Sequence, residues 1–497
     1  MTPWRNASMR PNSTPYTAPA FRGGRIEADL RLERIDPARY GATRNHLDGA
    51  VTRLSPYIRH GVLTLAEVRQ AVFERLRQLG PSQPAEDALQ GELFAAAGGG
   101  SAGLSFAPAA GASGRSAGRG GLEAASRGWS ASQRRAGEKL INELGWRDYW
   151  QRLWIQLGDG IWLDREPLKT GHPPHSYASE LPADLAAAAT GLACIDGFAS
   201  DLMAHGWLHN HARMWLAAYV VHWRRVRWQA GARWFLTQLL DGDPASNNLS
   251  WQWVASSFSH KPYIFNRSNL ERFSSGRFCQ RCPLARSGCP FEASYDALQE
   301  RLFRPEDPRS PSGPPPAPAT GNPSAALAAA AGPAPTRPLI WVHGEALGPA
   351  NPALLSHPGA PAVFVFDSEL IAGRAPSSGG HPAVAGPPQP LAAGRLRFLR
   401  ECLEELPVQV REGDVAQELL QAAAAQGCDG IVTSRAVDPR FAAIATQLAA
   451  ALPLRILDPE PFVALPLTGP GSPDLKRFSR YWRRAEPLVW GEAQKRG

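Results

Sequence analysis

The chain has 497 residues, 43% of them hydrophobic and 20% charged, with a formal net charge of +8. That length calls for two to four domains with cores of their own, and that composition excludes a wholly disordered chain. Six cysteines are too sparse for a disulfide scaffold, and no apolar run of ~18 residues is available to span a membrane. A soluble, reducing, cytoplasmic setting with no membrane partner is the expectation. Arg far outnumbers Lys, and its planar fork suits bidentate phosphate contacts, so an anionic partner such as nucleic acid is allowed.

In chain order, residues 1–24 are polar and rich in Pro, Ser and Asn, and read as a disordered N-terminus. Their stretch MTPWRNASMRPNSTPYTAP lacks the apolar region of a signal peptide. Ser55 followed by Pro56 reads as an N-cap and first helical position. Thr64 opens TLAEVRQAVFERLRQLG, where Leu65, Val68, Val72 and Leu76 repeat at helical spacing. Residues 95–135 are a Gly/Ala/Ser-rich stretch, expected to be a disordered insertion inside a helical domain. Helices resume in GEKLINELGWRDYWQRLWIQLG and continue without strand-like alternation to about Val254. A cysteine-bearing loop at 276–290 leads into FEASYDALQERLF, a last helix of this part.

Residues 304–336 read as a semi-rigid Pro/Ala linker. Beyond it the pattern changes. PLIWVHG, APAVFVFD, PVQVREGD, DGIVTSR and LPLRILD are strand-type runs, several of them separated by helical segments. Such alternation means a parallel-sheet, Rossmann-like α/β domain, here over 337–490. The fold class expected is therefore an all-α domain over 25–303 followed by an α/β domain. The tail DLKRFSRYWRRAEPLVW mixes Arg with aromatics; a nucleic-acid backbone contact is one reading, and a plain closing amphipathic helix is the more frequent outcome of such a pattern.

Gly191–Asn269 is the densest stretch for chemistry. It holds seven of the 16 Trp, a DGD triplet, two adjacent Asn and the block WLHNHARMW. An ordinary core does not concentrate polar and aromatic residues this way; a pocket for a large flat ligand with phosphates, or a path for electrons, does. Downstream, Cys279, Cys282 and Cys289 put three thiols in one loop as C-x-x-C, then Cys-Pro at Pro290, while Cys194 lies at the start of an earlier helix. Three clustered Cys with the last followed by Pro suit a [4Fe–4S] cluster completed by a distant ligand. A four-thiolate zinc site and unligated thiols are the rivals. Cys402 and Cys428 read as small buried residues of the α/β domain.

Four separated motifs, Tyr40 with TRLSPYIRHGVL, NELGWRDYW, GWLHNHARMW and DGDPASNNLSWQW, together resemble the FAD-binding domain of the DNA photolyase and cryptochrome family over roughly residues 25–275. The resemblance implies FAD held by Tyr40, Thr52, Arg53, Leu54, Ser55, Arg147, Asp241, Asp243 and Asn247. It implies electron transfer from light-excited reduced FAD to a flipped-out pyrimidine dimer in damaged DNA. Glu143, Trp146, Asn210, Met214 and Trp253 match the dimer pocket, and Arg44 and His211 match positions that meet DNA. His211 and Gly145 depart from the family pattern, which commonly shows Arg and a larger apolar residue there. Trp251 and Trp228 match the first two members of the electron-transfer chain. The third is not placed; Tyr177, Trp223, Trp207 and Trp154 are the candidates. The cysteine arrangement resembles the iron–sulfur bacterial members, with Cys194, Cys279, Cys282 and Cys289 as ligands. WVHGEALGPANPALLS and AVFVFD resemble the opening of the family's antenna domain, placed here after the FAD domain rather than before it. The antenna pigment, if any, is unknown; a structural or partner-binding remnant is the other reading of that domain. A monomeric photolyase is expected, with a cryptochrome-like photoreceptor acting through a protein partner as the alternative.

Overall fold

The computed structural model describes residues 21–79, 129–304, 334–373, 390–467 and 469–495. Most of the expected N-terminal tail, insertion and linker lies outside them. The first part is helical: α1 Arg25–Glu33, α2 Pro37–Thr43, α3 Ser55–Arg59, α4 Leu65–Gln78, α5 Ala131–Leu157, α6 Ala193–His205, α7 Asn210–Ala218, α8 Trp228–Gln238, α9 Pro244–Ala255, α10 Arg267–Ser274 and α11 Tyr295–Leu302. Local chemistry sets several starts. Thr64 opens α4 with a reciprocal capping box to Glu67, and Ser130 opens α5 with one to Gln133. The helix therefore begins inside the 95–135 stretch expected to be loose. Ser55 is the first residue of α3 rather than its cap, which falls on Leu54. Val68, Val72 and Leu76 of α4 are fully buried, as their spacing requires.

The second part carries β1 Pro338–Val342, β2 Ala362–Asp367, β3 Gln409–Gly413, β4 Gly430–Ser434 and β5 Leu454–Leu457, with α12 Ala393–Leu403, α13 Val415–Ala425 and α14 Pro439–Ala451. The strands form one sheet in the order β3-β2-β1-β4-β5, every pair parallel. Successive strand residues point to opposite faces. Leu339, Trp341, Val363, Val365 and Ile431 pack with α13 and α14. Ile340, Val342, Phe364, Phe366 and Val432 belong instead to a core shared with Tyr57, Val62 and α5 of the helical part.

That shared core reaches the sheet's switch point, where strand order reverses between β1 and β4 and doubly wound sheets usually hold a ligand. Here Arg59, His60 and Gly61 fill it. Arg59 Nη1 pairs with Glu345 at 2.9 Å, and His60 Nδ1 meets Gly344 O at 2.7 Å. Burial, with the charges of Arg395 and Arg59, holds the His60 pKa well below the usual value, against the two backbone carbonyls that flank its ring and favour the charged form. Gly61 has φ 62°, and a Cβ there would lie 2.1 Å from Glu345 O. Only glycine permits that approach without strain.

The chain closes with α15, Phe478–Lys495. It packs on α5. Tyr481, Ala485 and Val489 are fully buried, and Tyr481 Oη donates to Asp148 Oδ2 at 2.6 Å. The Trp490 ring sits 5.2 Å from Phe73. Of its aromatics, Phe478, Tyr481 and Trp490 are buried and Trp482 is half-buried, in keeping with the closing-helix reading of this tail.

Candidate functional site

A cavity of about 310 Å³ opens among α2, α3, α5, α7, α8 and α9. Its lining draws on all four of the separated motifs. Tyr40, Thr52 and Ser55 come from the first, and Glu143, Trp146 and Arg147 from α5. Asn210 and Met214 come from α7, and Asp241, Asp243, Asn247, Trp251 and Trp253 from the loop before α9 and that helix. Spacing on α5 explains one group: Glu143, Trp146 and Arg147 are three and four residues apart and share a face.

The polar residues do not all point at the cavity with free groups. Asp243 is 2% exposed and is bound from three sides. It caps α9 by accepting from Ser246 N at 2.7 Å, pairs with Arg147 at 2.8 Å and accepts from Gln151 Nε2 at 2.9 Å. Burial pushes its carboxyl up, but Arg147, Arg59 and Ser246 outweigh that and leave its pKa below the ordinary value. Asp243 thus positions Arg147 and α9 rather than offering a free acceptor. Asp241 is held bidentately by Arg213 at 2.8 and 3.0 Å. Asn247 Nδ2 donates to Ala232 O and to Asn248 Oδ1, both at 3.0 Å, which leaves its Oδ1 as the acceptor for a bound ring.

Glu143 is the most perturbed acid of the cavity. Desolvation raises its pKa to about 7, against the pull of Arg44 and Lys139. Near neutrality it is partly a carboxylic acid, so it can donate a hydrogen bond as well as accept one. Burial raises the Tyr40 phenol in the same way, and the charge of Glu143 adds to it.

Five expected site residues lie elsewhere. Leu54 is a core residue, 1% exposed. Arg53 adopts φ 55° and sets its guanidinium 5.5 Å over the Trp207 ring. Arg44 donates from Nη1 to Gly41 O at 2.9 Å. His211, expected to meet DNA, is corrected: its ring is buried between Trp215 and Phe273, with Nδ1 2.6 Å from Asn45 O. Desolvation lowers its pKa to about 4, so it is a neutral packing residue at physiological pH. Trp228 is 2% exposed and is not part of the cavity lining, whereas Trp251 is.

Two features were not read from the sequence. Arg213 lines the cavity as the partner of Asp241; its place three residues after Asn210 in WLHNHARMW was the available signal. Phe478 stacks on Trp146 at 3.8 Å and 9°, and Trp482 stacks on Phe478 at 5.6 Å and 15°. A Cβ on Gly145 would lie 2.2 Å from the Trp482 ring, which explains the small residue at that position. No local pattern could reveal a contact more than 300 residues away.

The cysteines converge as well. Cys194, Cys279, Cys282 and Cys289 line one small cavity with Arg267, Phe278 and Phe291. Cys194 is buried and the other three are half-buried. Desolvation pushes the Cys279 thiol up to about 11 and raises Cys194 and Cys289 too. Among the described residues no group of His, Cys, Asp or Glu stands at metal-ligating geometry.

Residues 140–278 match the sequence model described as the FAD binding domain of DNA photolyase. Over that stretch the chain is similar to the FAD-binding domain of DNA photolyases. The deoxyribodipyrimidine photo-lyase of Streptomyces griseus is 37% identical over 124 residues, which are 24% of this chain and 26% of that protein. That of Escherichia coli (strain K12) is 34% identical over 142 residues, 26% of this chain and 28% of that one. The chain thus spans about a quarter of the length of these curated relatives. A crystal structure of an archaeal photolyase from Sulfolobus tokodaii is 19% identical with a TM-score of 0.33, covering 57% of this chain and 51% of that one. The matched stretch contains α7, α8 and α9 and most of α5, the helices that supply most of the cavity wall.

The donor set suits FAD. Thr52, Ser55, Ser246 and Arg147 offer hydroxyl and cationic groups for a pyrophosphate, Asp241 and Asn247 offer acceptors, and Trp251, Phe235 and Leu239 offer flat apolar wall.

Proposed function

We propose that this protein is a light-driven flavoprotein that repairs pyrimidine dimers in DNA. The observation that carries the reading is the convergence of Glu143, Trp146, Asn210, Met214 and Trp253 on the same cavity as the FAD-suited residues. Bound FAD would supply a light-excited electron donor. Thr52, Ser55 and Arg147 would hold it, with Asn247 beside its ring system. A lesion flipped out of the duplex would stack on Trp146 and Trp253, and extrusion costs least where pairing is already damaged. Glu143, partly protonated near neutral pH, would hydrogen-bond the lesion and stabilise the negative charge it acquires. Trp251 and Trp228 would return electrons to the cofactor site.

Alongside FAD, Cys194, Cys279, Cys282 and Cys289 would hold a [4Fe–4S] cluster; their shared cavity supports this over unligated thiols. The α/β region would be an antenna-like domain placed after the FAD domain. Because Arg59, His60 and Gly61 fill its switch point, a pigment there would need another site. We retain the photoreceptor as a second reading, favoured by the burial of His211 and by α15 lying against Trp146. A monomer acting in the cytoplasm remains the working state.

The test is repair of defined cyclobutane dimers and (6-4) products, assayed separately, by the full chain loaded with reduced FAD. Light-dependent reversal of either lesion supports the reading, and no reversal with the flavin fully reduced moves it to the photoreceptor. Iron and sulfide analysis of anaerobically purified protein checks the cluster. Stoichiometric iron and sulfide, lost in Cys279→Ala, is expected; zinc without sulfide, or no metal, overturns it.

A further inference from the structure

Trp228 is 2% exposed, so an oxidised indole there has no bulk water to take its proton. Its Nε1 donates instead to Asp164 Oδ1 at 2.6 Å, a short, charge-assisted bond. Trp251 lies against the same helix face. A Cβ at Gly231, one turn after Trp228 on α8, would be 2.2 Å from the Trp251 ring. Trp228, Gly231 and Phe235 lie on one face of α8, and Trp251 packs on that face at Gly231 and Phe235. The nearby loop brings Tyr177 into the same neighbourhood, through the bridge between Ala178 and Val226. Yet Tyr177 Oη is bonded to Thr170 Oγ1 at 2.7 Å, and a hydroxyl is a poor base for a phenol about to be oxidised.

We propose that Asp164 is the proton acceptor that traps the charge on Trp228. The proposal rests on the electron route from Trp228 through Trp251 and deepens it. With flavin bound as the light-driven oxidant, Trp251 would lose an electron and Trp228 would refill it. The Nε1–H bond then breaks, its proton goes to Asp164 Oδ1, and a neutral indolyl radical and a carboxylic acid remain. Return of the electron to Trp228 now requires the proton to move back as well, which slows recombination without a third Trp. The groups facing Asp164 allow this. Trp228 donates to it, the Ser257 hydroxyl lies beside it, Arg227 acts on it through charge, and Tyr177 is a neutral phenol whose own pKa Asp164 helps to raise. Burial raises its pKa above the ordinary aspartate value despite those donors, making it a better base than an exposed carboxylate.

Two readouts test it. In the flavin-free protein, the indole ¹⁵N–¹H resonance of Trp228, assigned with Trp228→Phe, should titrate with a carboxyl group above the ordinary aspartate range and lose that titration in Asp164→Asn. A resonance that does not titrate overturns the proposal. In the flavin-loaded oxidised protein, flash photolysis should show a Trp radical cation converting to a neutral radical. In Asp164→Asn the cation should persist roughly 100-fold longer, with its initial yield unchanged. Equal lifetimes overturn the proposal alone. Absence of any Trp radical in the wild-type protein overturns the electron route and the proposal with it. A tyrosyl radical lost in Tyr177→Phe would assign the trap to Tyr177 instead.

Discussion

The helical part and the α/β part each contain a crevice where their architecture could hold a ligand, and they are used in opposite ways. The helical cavity stays open at about 310 Å³, because Asp243, Arg147, Asp241 and Arg213 pair along its wall and do not collapse into it. The switch point of the sheet is filled by backbone and side chains of the helical part. Arg59 connects the two: it pairs with Glu345 at 2.9 Å and donates to Gly242 O at 3.0 Å, between Asp241 and Asp243. Architecture names places where ligands bind; the residues at each place decide whether one does.

The largest expected effect comes from breaking the wall of the open cavity. Asp243→Ala removes the cap of α9 and the partner of Arg147, and leaves buried Arg59 with one carboxylate fewer. A loss of ~3–5 kcal/mol in stability is expected, with loss of bound flavin, measured by denaturant unfolding and by flavin released per chain. Retained flavin would mean that Asp243 does not organise the cavity.

Gly61→Ala attacks the filled crevice instead. Positive φ and the approach to Glu345 O together should cost about 2–3 kcal/mol, seen as a lowered denaturant midpoint. If the two crevices are coupled through Arg59, flavin affinity falls with it; unchanged affinity would show the linkage to be structural only. Gly145→Leu tests the third contact between distant parts of the chain. It should push Trp482 off α5 and destabilise by about 1–3 kcal/mol, with Trp482 fluorescence shifted toward that of an exposed indole.

The smallest effect on stability, and the most specific one, concerns Glu143. Its folded-state pKa is raised to about 7, so the protonated, hydrogen-bond-donating form is present below that value and is lost as pH rises through it. Repair yield should fall over that window in the wild-type protein. In Glu143→Gln the yield should lose this pH step, since an amide keeps a donor at every pH. A step that survives in the variant would assign the titration to another group.

Much of this molecule is legible locally. Helical spacing in TLAEVRQAVFERLRQLG, capping chemistry at Thr64, and the strand and helix alternation after Pro338 are short-range patterns, and each produced the element it implies. The residues that meet in the cavity were named through the resemblance of four separated motifs to one family, and the fold brings those motifs together. What the sequence alone left undecided depends on contacts between segments far apart. His211 is a neutral packing group because Phe273 and Trp215 enclose it. Asp243 is a positioning residue because Arg147 and Gln151 reach it from another helix. Gly145 is small because Trp482 returns to lie on it, and the sheet's switch point is closed because Gly61 allows the helical part to enter. Burial and pairing fix the charge state and reach of a side chain, and both are properties of the assembled chain, not of its local order.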